Sequence, residues 1–256
     1  MNEINYTTTI IVPCYNEEKR LNIVEYKKFI LSHSYVKLLF VNDGSTDGTG
    51  KLLKSFVKSN PSSLKLLELE KRVGKGEAIR NGLLSSLSAK SDYIGYWDAD
   101  LATPLREIPN LCRILEEDKE LMVVFGSRVK LLGRIIDRKP SRHYTGRIFA
   151  TIVSLILKIG VYDTQCGAKI FRVTKDLKKI FQTPFLSSWI FDVEVIARIL
   201  EIEKNLNSEE IGKIIYEYPL TEWRDVAGSN LKVKDFIKSI YDLFRIYRIY
   251  IYNKIK

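Results

Sequence analysis

Two carboxylates one residue apart, Asp98 and Asp100, close the apolar run Tyr93-Ile94-Gly95-Tyr96-Trp97. In extended backbone, residues i and i+2 face the same side, so this pair can converge on one cation at a strand tip. A hard divalent ion held by two carboxylates with open positions is how a protein presents Mg²⁺ or Mn²⁺ to a substrate diphosphate. An acidic, solvated turn after a strand has the same spelling, so the rest of the chain must decide. Only two histidines, His33 and His143, are present, so the ligands must be oxygens and Mg²⁺ or Mn²⁺ is favoured over zinc. Cys14, Cys112 and Cys166 lie far apart and lack Cys-x-x-Cys spacing. They support neither a disulfide framework nor a structural zinc site, and they fit a reducing cytosol.

Other chemistries lose their support. Gly74-Lys75-Gly76 invites a phosphate-loop reading, but neither the Walker pattern nor a Gly-x-Gly-x-x-Gly after the first strand is present. Lys75 therefore reads as a turn residue beside a diphosphate. A serine hydrolase would need a Gly-x-Ser-x-Gly elbow, which the chain lacks. The net charge of +10 points to an anionic partner such as a nucleotide or a phospholipid surface. Nucleic-acid binding would explain that charge but not an acidic cleft, so no nucleic-acid partner is expected. No apolar run reaches the ~20 residues needed to span a bilayer, and Met1 to Thr9 has no apolar signal core.

The elements that must position these groups follow a regular rhythm. Strands are expected over Thr8 to Cys14, Val36 to Val41, Leu64 to Leu69, Tyr93 to Trp97 and Leu121 to Gly126. Helices are expected between them over Glu17 to Ser32, Thr46 to Ser59 (capped by Ser45 or Thr46), Gly76 to Leu87 and Pro104 to Glu117. Such alternation gives an α/β fold with a mostly parallel sheet and helices on both faces. Ligands then bind beyond the carboxyl ends of the strands, where Asn16-Glu17, Asp43 and Asp98/Asp100 would share one crevice. Arg128 to Arg147 reads as a basic loop, and Ile148 to Ile159 as an apolar helix. Strands at Ala168 to Arg172 and Lys213 to Glu222 and a helix at Phe191 to Glu201 follow. A final helix, Val233 to Tyr252, has a stripe of Ile237, Ile240, Tyr241, Phe244, Tyr247 and Ile251 flanked by Lys234, Lys238, Arg245 and Arg248. That pattern suits a membrane surface or docking on the domain with a solvated basic side.

Several ordered motifs resemble glycosyltransferase family 2 with a GT-A fold: Val12-Pro13-Cys14-Tyr15-Asn16-Glu17-Glu18, Val41 to Thr49, Gly74 to Ala78, Asp98-Ala99-Asp100 and Gly126-Ser127-Arg128. Asp163 to Lys169 and Trp189 to Glu194 resemble the dolichyl-phosphate β-glucosyltransferase branch of that family. The resemblance implies a GT-A catalytic domain over 1–232 followed by a basic amphipathic helix over 233–256. It implies that Pro13, Tyr15, Glu17 and Asp43 hold the nucleoside, that Lys75 and Asp98 hold the nucleotide-sugar, and that Asp100, with Asp98 in the shell, ligates Mg²⁺ or Mn²⁺. It implies that Arg128, Arg142 and Arg147 receive an acceptor phosphate, with Gln165 and Lys169 lining that side. Asp192 stands where other members carry a general base for hydroxyl acceptors, or it orients the acceptor or a basic side chain.

The activity so implied is inverting transfer of glucose or a related hexose from UDP to a polyprenyl phosphate. A GDP-mannose donor, a saccharide hydroxyl acceptor and a non-catalytic nucleotide-sugar or membrane-surface binding module are the alternatives. Members of this branch usually carry an N-terminal membrane anchor, and many bacterial relatives a pair of C-terminal membrane helices. With neither in the sequence, the expectation is a cytoplasmic protein attached peripherally to the membrane through Ile148 to Ile159 and the last helix.

Overall fold

The computed structural model describes residues 4–203, 206–226 and 233–252. Its first half alternates β1 (Thr8–Cys14), α1 (Ile23–Ser32), β2 (Val36–Asp43), α2 (Thr49–Ser59), β3 (Leu64–Leu69), α3 (Lys75–Ser86), β4 (Tyr93–Trp97), α4 (Glu107–Glu117) and β5 (Val123–Ser127). Next come β6 (Ile135–Asp137), α5 (Pro140–Leu157), β7 (Ala168–Arg172), α6 (Leu177–Gln182) and α7 (Phe191–Ile202). The chain ends with α8 (Ser208–Ile214), β8 (Ile215–Pro219), β9 (Glu222–Arg224) and α9 (Val233–Ile246), which continues as a π-helical turn over Tyr247–Ile251.

Seven strands form one sheet in the order β3-β2-β1-β4-β7-β5-β8, while β6 pairs with β9 apart from it. Within the sheet every pairing is parallel except those of β7, which runs antiparallel to both β4 and β5. Alternate side chains feed two cores. Ile10, Val12 and Phe40 pack with Tyr26 and Phe29 of α1, Leu53 of α2 and Leu111 of α4. On the other face Ile11, Val41 and Phe125 pack with Ile79 of α3, Val153 of α5 and Ile196 of α7. Burial on both faces is why these strands read as continuous apolar runs. The expected α/β architecture, a mostly parallel sheet covered on both sides, is the observed one.

The direction of β7 matters to the site. Trp97 at the end of β4 pairs with Ala168 at the start of β7. Residues 163–167 therefore reach the same sheet edge at which β4 and β5 finish.

Several expectations change. Arg128 to Arg147 is not a loop throughout: it contains β6 and the first turns of α5, with Pro140 in the opening turn, where its missing N–H is unneeded. The buried face of α5 is Phe149, Ala150, Val153 and Leu157, a pattern that the basic residues of its first half obscure. Helix α2 begins at Thr49, because Asn16 engages both proposed caps, accepting from the Thr46 N–H and donating its own N–H to Ser45 Oγ. Asp47 instead accepts from the Thr49 N–H at 3.0 Å and the Thr49 hydroxyl at 2.6 Å. Helices α1 and α4 start later than expected, at Ile23 and Glu107. The single strand expected over Lys213 to Glu222 is divided between the end of α8, β8 and β9. Helices α6 and α8, of six and seven residues, are too short for periodicity to reveal.

Of its predicted stripe, the last helix packs Ile251 against the second core, but its buried anchors are other residues. Leu243 and Ile246 are buried in the second core, whereas Ile240, Tyr241 and Phe244 are 44%, 66% and 67% exposed. The side chains of Lys234 and Ile237 lie outside the described residues, as do residues 227–232 and 253–256.

Candidate active site

One cavity beyond the carboxyl ends of β4 and β5 collects Lys75, Asp98, Asp100, Arg128, Gln165 and Asp192 in its wall. Arg138, between β6 and α5, Arg142, in the first turn of α5, and Asp225 complete its charged lining.

On the acidic side, Asp98 follows β4 directly and donates its backbone N–H to Gly167 O at 3.1 Å. A Cβ at Gly167 would meet the Asp98 carboxylate, so any larger residue there would displace that carboxylate. Lys75 Nζ lies 2.5 Å from Asp98 Oδ1. Burial pushes the Asp98 carboxyl up, but the Lys75 ammonium and the charges of Arg128 and Lys169 more than reverse this, so it lies below the ordinary carboxylate range. Asp100 goes the other way: burial and the neighbouring Asp98 charge raise it, against the Ala102 N–H donated at 3.1 Å. A half-buried carboxylate held above its ordinary range gains from a cation. Among the described residues no group of three or more His, Cys, Asp or Glu can hold a metal. Asp98 and Asp100 would thus supply two oxygen ligands for Mg²⁺ or Mn²⁺, and diphosphate oxygens the rest, a donor set that suits a hard ion.

Lys75 is delivered by a loop that Asp43 holds. Both Asp43 oxygens accept backbone N–H groups, from Val73 at 2.7 Å and Gly74 at 2.9 Å. Gly74, at φ 95°, turns the chain into α3 in a conformation that favours glycine. Asp43 therefore acts on the site at least through this loop. Pro13, Tyr15 and Glu17 sit at and beyond the end of β1 and, like Asp43, are not in the cavity wall. Tyr15 lies under the Arg72 guanidinium at 4.1 Å. Buried Glu17 pairs with Arg20, whose Nε donates at 2.8 Å; burial raises its carboxyl despite that partner.

On the basic side, Arg128 follows β5 and is committed to Asp163. Its backbone N–H, Nε and Nη2 donate to that carboxylate at 3.1, 2.6 and 2.7 Å. The guanidinium also lies 5.3 Å from the Trp223 ring. Burial opposes the ionised Asp163, yet Arg128 holds its carboxyl far below the ordinary range. Arg142 Nη1 donates to Asp225 at 2.6 Å. Arg147 is turned elsewhere, donating to Tyr162 O at 2.7 Å and stacking on the Tyr162 ring at 3.6 Å. It is not in the cavity wall, because that stacking fixes its direction. Gln165 does line the cavity, with its N–H 3.2 Å from Asp163 Oδ1.

Lys169 is also placed differently from the expectation. It is fully buried, and its ammonium donates to Thr164 O, Cys166 O and Asp192 Oδ1 at 2.9, 2.7 and 2.6 Å. Three N–H groups with three acceptors leave none for a ligand. Asp192 also accepts from the Tyr96 hydroxyl. It lies in the first turn of α7 and is not the N-cap, a position held by Ile190. Asp163, Asp225 and Arg138 are the site residues that sequence reasoning passed over. Their pairings cross up to 83 residues of chain and leave no local signal.

The family model for glycosyl transferase family 2 matches residues 9–179. The chain is 32% identical over 241 residues to the dolichyl-phosphate beta-glucosyltransferase of Dictyostelium discoideum, covering 89% of this chain and 69% of that protein. The Saccharomyces cerevisiae protein of the same name is 30% identical over 263 residues, with 95% and 75% covered. The fold is similar to a crystal structure of glucosyl-3-phosphoglycerate synthase from Mycobacterium tuberculosis in complex with Mn²⁺, UDP-glucose and phosphoglyceric acid. The TM-score is 0.64 at 19% identity, covering 96% of this chain and 81% of that one. With acidic and basic groups gathered at the end of a mixed α/β sheet, and the family's model spanning more than half of its length, the chain belongs to glycosyl transferase family 2 and has the GT-A fold.

Proposed function

We propose that the chain transfers glucose, or a closely related hexose, from a UDP-sugar to a polyprenyl phosphate with inversion at the anomeric carbon. The observation that carries this reading is the division of one cavity into an acidic side at Asp98 and Asp100 and a basic side at Arg128, Arg138 and Arg142. The names of the relatives support the lipid-phosphate acceptor and glucose, and a structural neighbour's UDP-glucose supports the donor.

Asp98 and Asp100 would hold Mg²⁺ or Mn²⁺, which when bound offsets the charge that builds on the departing diphosphate. Lys75, held against Asp98, presents a further cation beside that diphosphate. The arginine side orients the acceptor so that a phosphate oxygen faces the anomeric carbon. That oxygen forms the new bond as the bond from the same carbon to the β-phosphate oxygen of UDP breaks, and the bonding pair leaves on the diphosphate. No proton has to be removed from the attacking oxygen. The position of Asp192 accords with this: Lys169 and Tyr96 already donate to Oδ1, which favours a positioning role over that of a general base.

Attachment at the cytoplasmic face of a membrane is part of this proposal, and the surface around the cavity supports contact with a membrane. Tyr144, Ile148 and Leu155 form one exposed stripe on α5, and Ile240, Tyr241 and Phe244 are exposed on α9. Both helices also contribute to the cavity wall, through Phe149 and Ser239. No described helix is long and apolar enough to cross a membrane.

The test is nucleoside-diphosphate release across UDP-glucose, UDP-galactose and GDP-mannose, with and without polyprenyl phosphate. UDP-glucose turnover stimulated by the lipid phosphate, giving a β-linked product, is expected. Stimulation by a saccharide and not by the lipid would reject the acceptor; turnover of GDP-mannose alone would reject the donor.

A further inference from the structure

Three guanidiniums, those of Arg128, Arg138 and Arg142, share the basic side of the cavity. Two of them are balanced at short range, Arg128 by Asp163 and Arg142 by Asp225. Among the described residues no carboxylate lies within ion-pair distance of Arg138. Asp163 and Asp225 act on it only from farther off, while burial and the Arg128 charge both work against its ionised form. The guanidinium lies flat against α5 at Gly146, where an added Cβ would come within 2.5 Å of Nη2. The helix backbone thus provides a shelf for a half-buried cation that has no carboxylate at ion-pair distance among the described residues. Such a group costs stability unless an anion arrives to share its environment.

We propose that Arg138 is the specificity-determining residue for the acceptor phosphate, the cation whose charge this phosphate balances. The claim deepens the lipid-phosphate reading and rests on it for the nature of the acceptor. Arg128 and Arg142 shape the wall and set the field, but their strongest bonds are already made within the protein. No ion pair among the described residues occupies the Arg138 fork, and bidentate contact with phosphate is the geometry that a guanidinium provides. A neutral hydroxyl acceptor would leave it unbalanced. Arg138 therefore selects anionic over neutral acceptors. It is a residue that folding alone does not need and that the reaction does.

The experiment compares wild type with Arg138→Gln, Arg138→Lys and Gly146→Ala in two measurements. In the first, thermal unfolding is followed with rising inorganic phosphate. Phosphate should raise the Tm of wild type and leave that of Arg138→Gln unmoved, and in buffer without phosphate the variant should unfold no earlier than wild type. In the second, steady-state transfer to farnesyl phosphate should show the acceptor KM raised about tenfold or more in Arg138→Gln, as for loss of a charged hydrogen bond. UDP affinity, measured by titration, should be unchanged. Arg138→Lys should recover part of the acceptor affinity, and Gly146→Ala should weaken it by crowding the guanidinium. An Arg138→Gln variant that keeps its phosphate-dependent Tm rise or its acceptor KM overturns the proposal. So does one that unfolds well below wild type, since Arg138 would then be structural. A wild-type protein that uses no isoprenyl phosphate would defeat the functional reading, while the phosphate-dependent Tm comparison would still decide the role of Arg138.

Discussion

The acidic and basic halves of the cavity carry opposite imbalances. Around Asp98 stand two carboxylates, Asp98 and Asp100, and one ammonium, Lys75. Around Arg128 stand three guanidiniums and two carboxylates, Asp163 and Asp225. The first half needs a cation and the second an anion, and the proposed metal diphosphate and lipid phosphate would supply them. The difference teaches that unpaired groups, and not merely charged ones, mark where ligands act. Arg128 is one of three arginines that the resemblance assigns to the acceptor phosphate, yet its strongest contacts are internal; Asp100 keeps unmet demand.

Mutations can break this contrast. The largest effect is expected from Asp163→Ala, which leaves Arg128 buried and unpaired and should cost about 3–5 kcal/mol of stability by urea unfolding. Replacing both partners by apolar residues of similar size should recover much of that loss. If Asp163→Ala unfolds like wild type, the basic half is not held together by this pair. Next is Asp100→Asn, expected to lower kcat with saturating Mg²⁺ or Mn²⁺ by about 10²–10³-fold while leaving Tm near wild type. A drop confined to KM would show that Asp100 contributes only to binding. Smaller still is the joint change Tyr241→Ser and Phe244→Ser on the exposed face of α9. It should shift part of the protein from anionic liposome pellet to supernatant, since interfacial binding scales with the apolar area inserted, without altering Tm. Equal partitioning would remove α9 from the membrane surface.

The smallest effect lies in the response to acid. Because the folded-state Asp163 carboxyl titrates below its unfolded value, the stability it contributes is fully present above about pH 4 and is lost as pH falls from there towards the depressed folded value. Wild type should lose stability over that range more steeply than Asp163→Ala. Parallel acid profiles for the two would mean that the pair is not charged in the folded state.

The two halves also differed in how far they could be read from sequence. The acidic half lies where strands end, and strands such as Thr8–Cys14, Leu64–Leu69 and Tyr93–Trp97 declare themselves as short apolar runs. Topology thus placed Asp98 and Asp100 at the strand ends, but it put Asn16-Glu17 and Asp43 in the same crevice, and none of the latter is in the cavity wall; Lys75 joined Asp98 only through the family resemblance. The basic half draws on residues from Arg128 to Asp225, joined by ion pairs that no period encodes. Arginine was visible in number but not in commitment, so Arg147 was included although it stacks on Tyr162, and Arg138 was left out. Lys169 was misread for a related reason: a lysine in an apolar strand looks like an edge charge until its acceptors, Thr164 O, Cys166 O and Asp192, are seen around it. Two signals for missed helices were present, Pro140 at the head of α5 and the Asn207–Glu210 capping box of α8.

The lone reversed strand has a consequence for how the molecule assembles. Since β7 is threaded between β4 and β5, the sheet cannot close without bringing Gly167 against Asp98 and Asp163 towards Arg128. Slipping β7 by one residue would turn Lys169 to the opposite face and strand its ammonium among apolar side chains. The register of the central sheet and the alignment of the two halves of the cavity are therefore coupled, and the buried Lys169 helps to specify both.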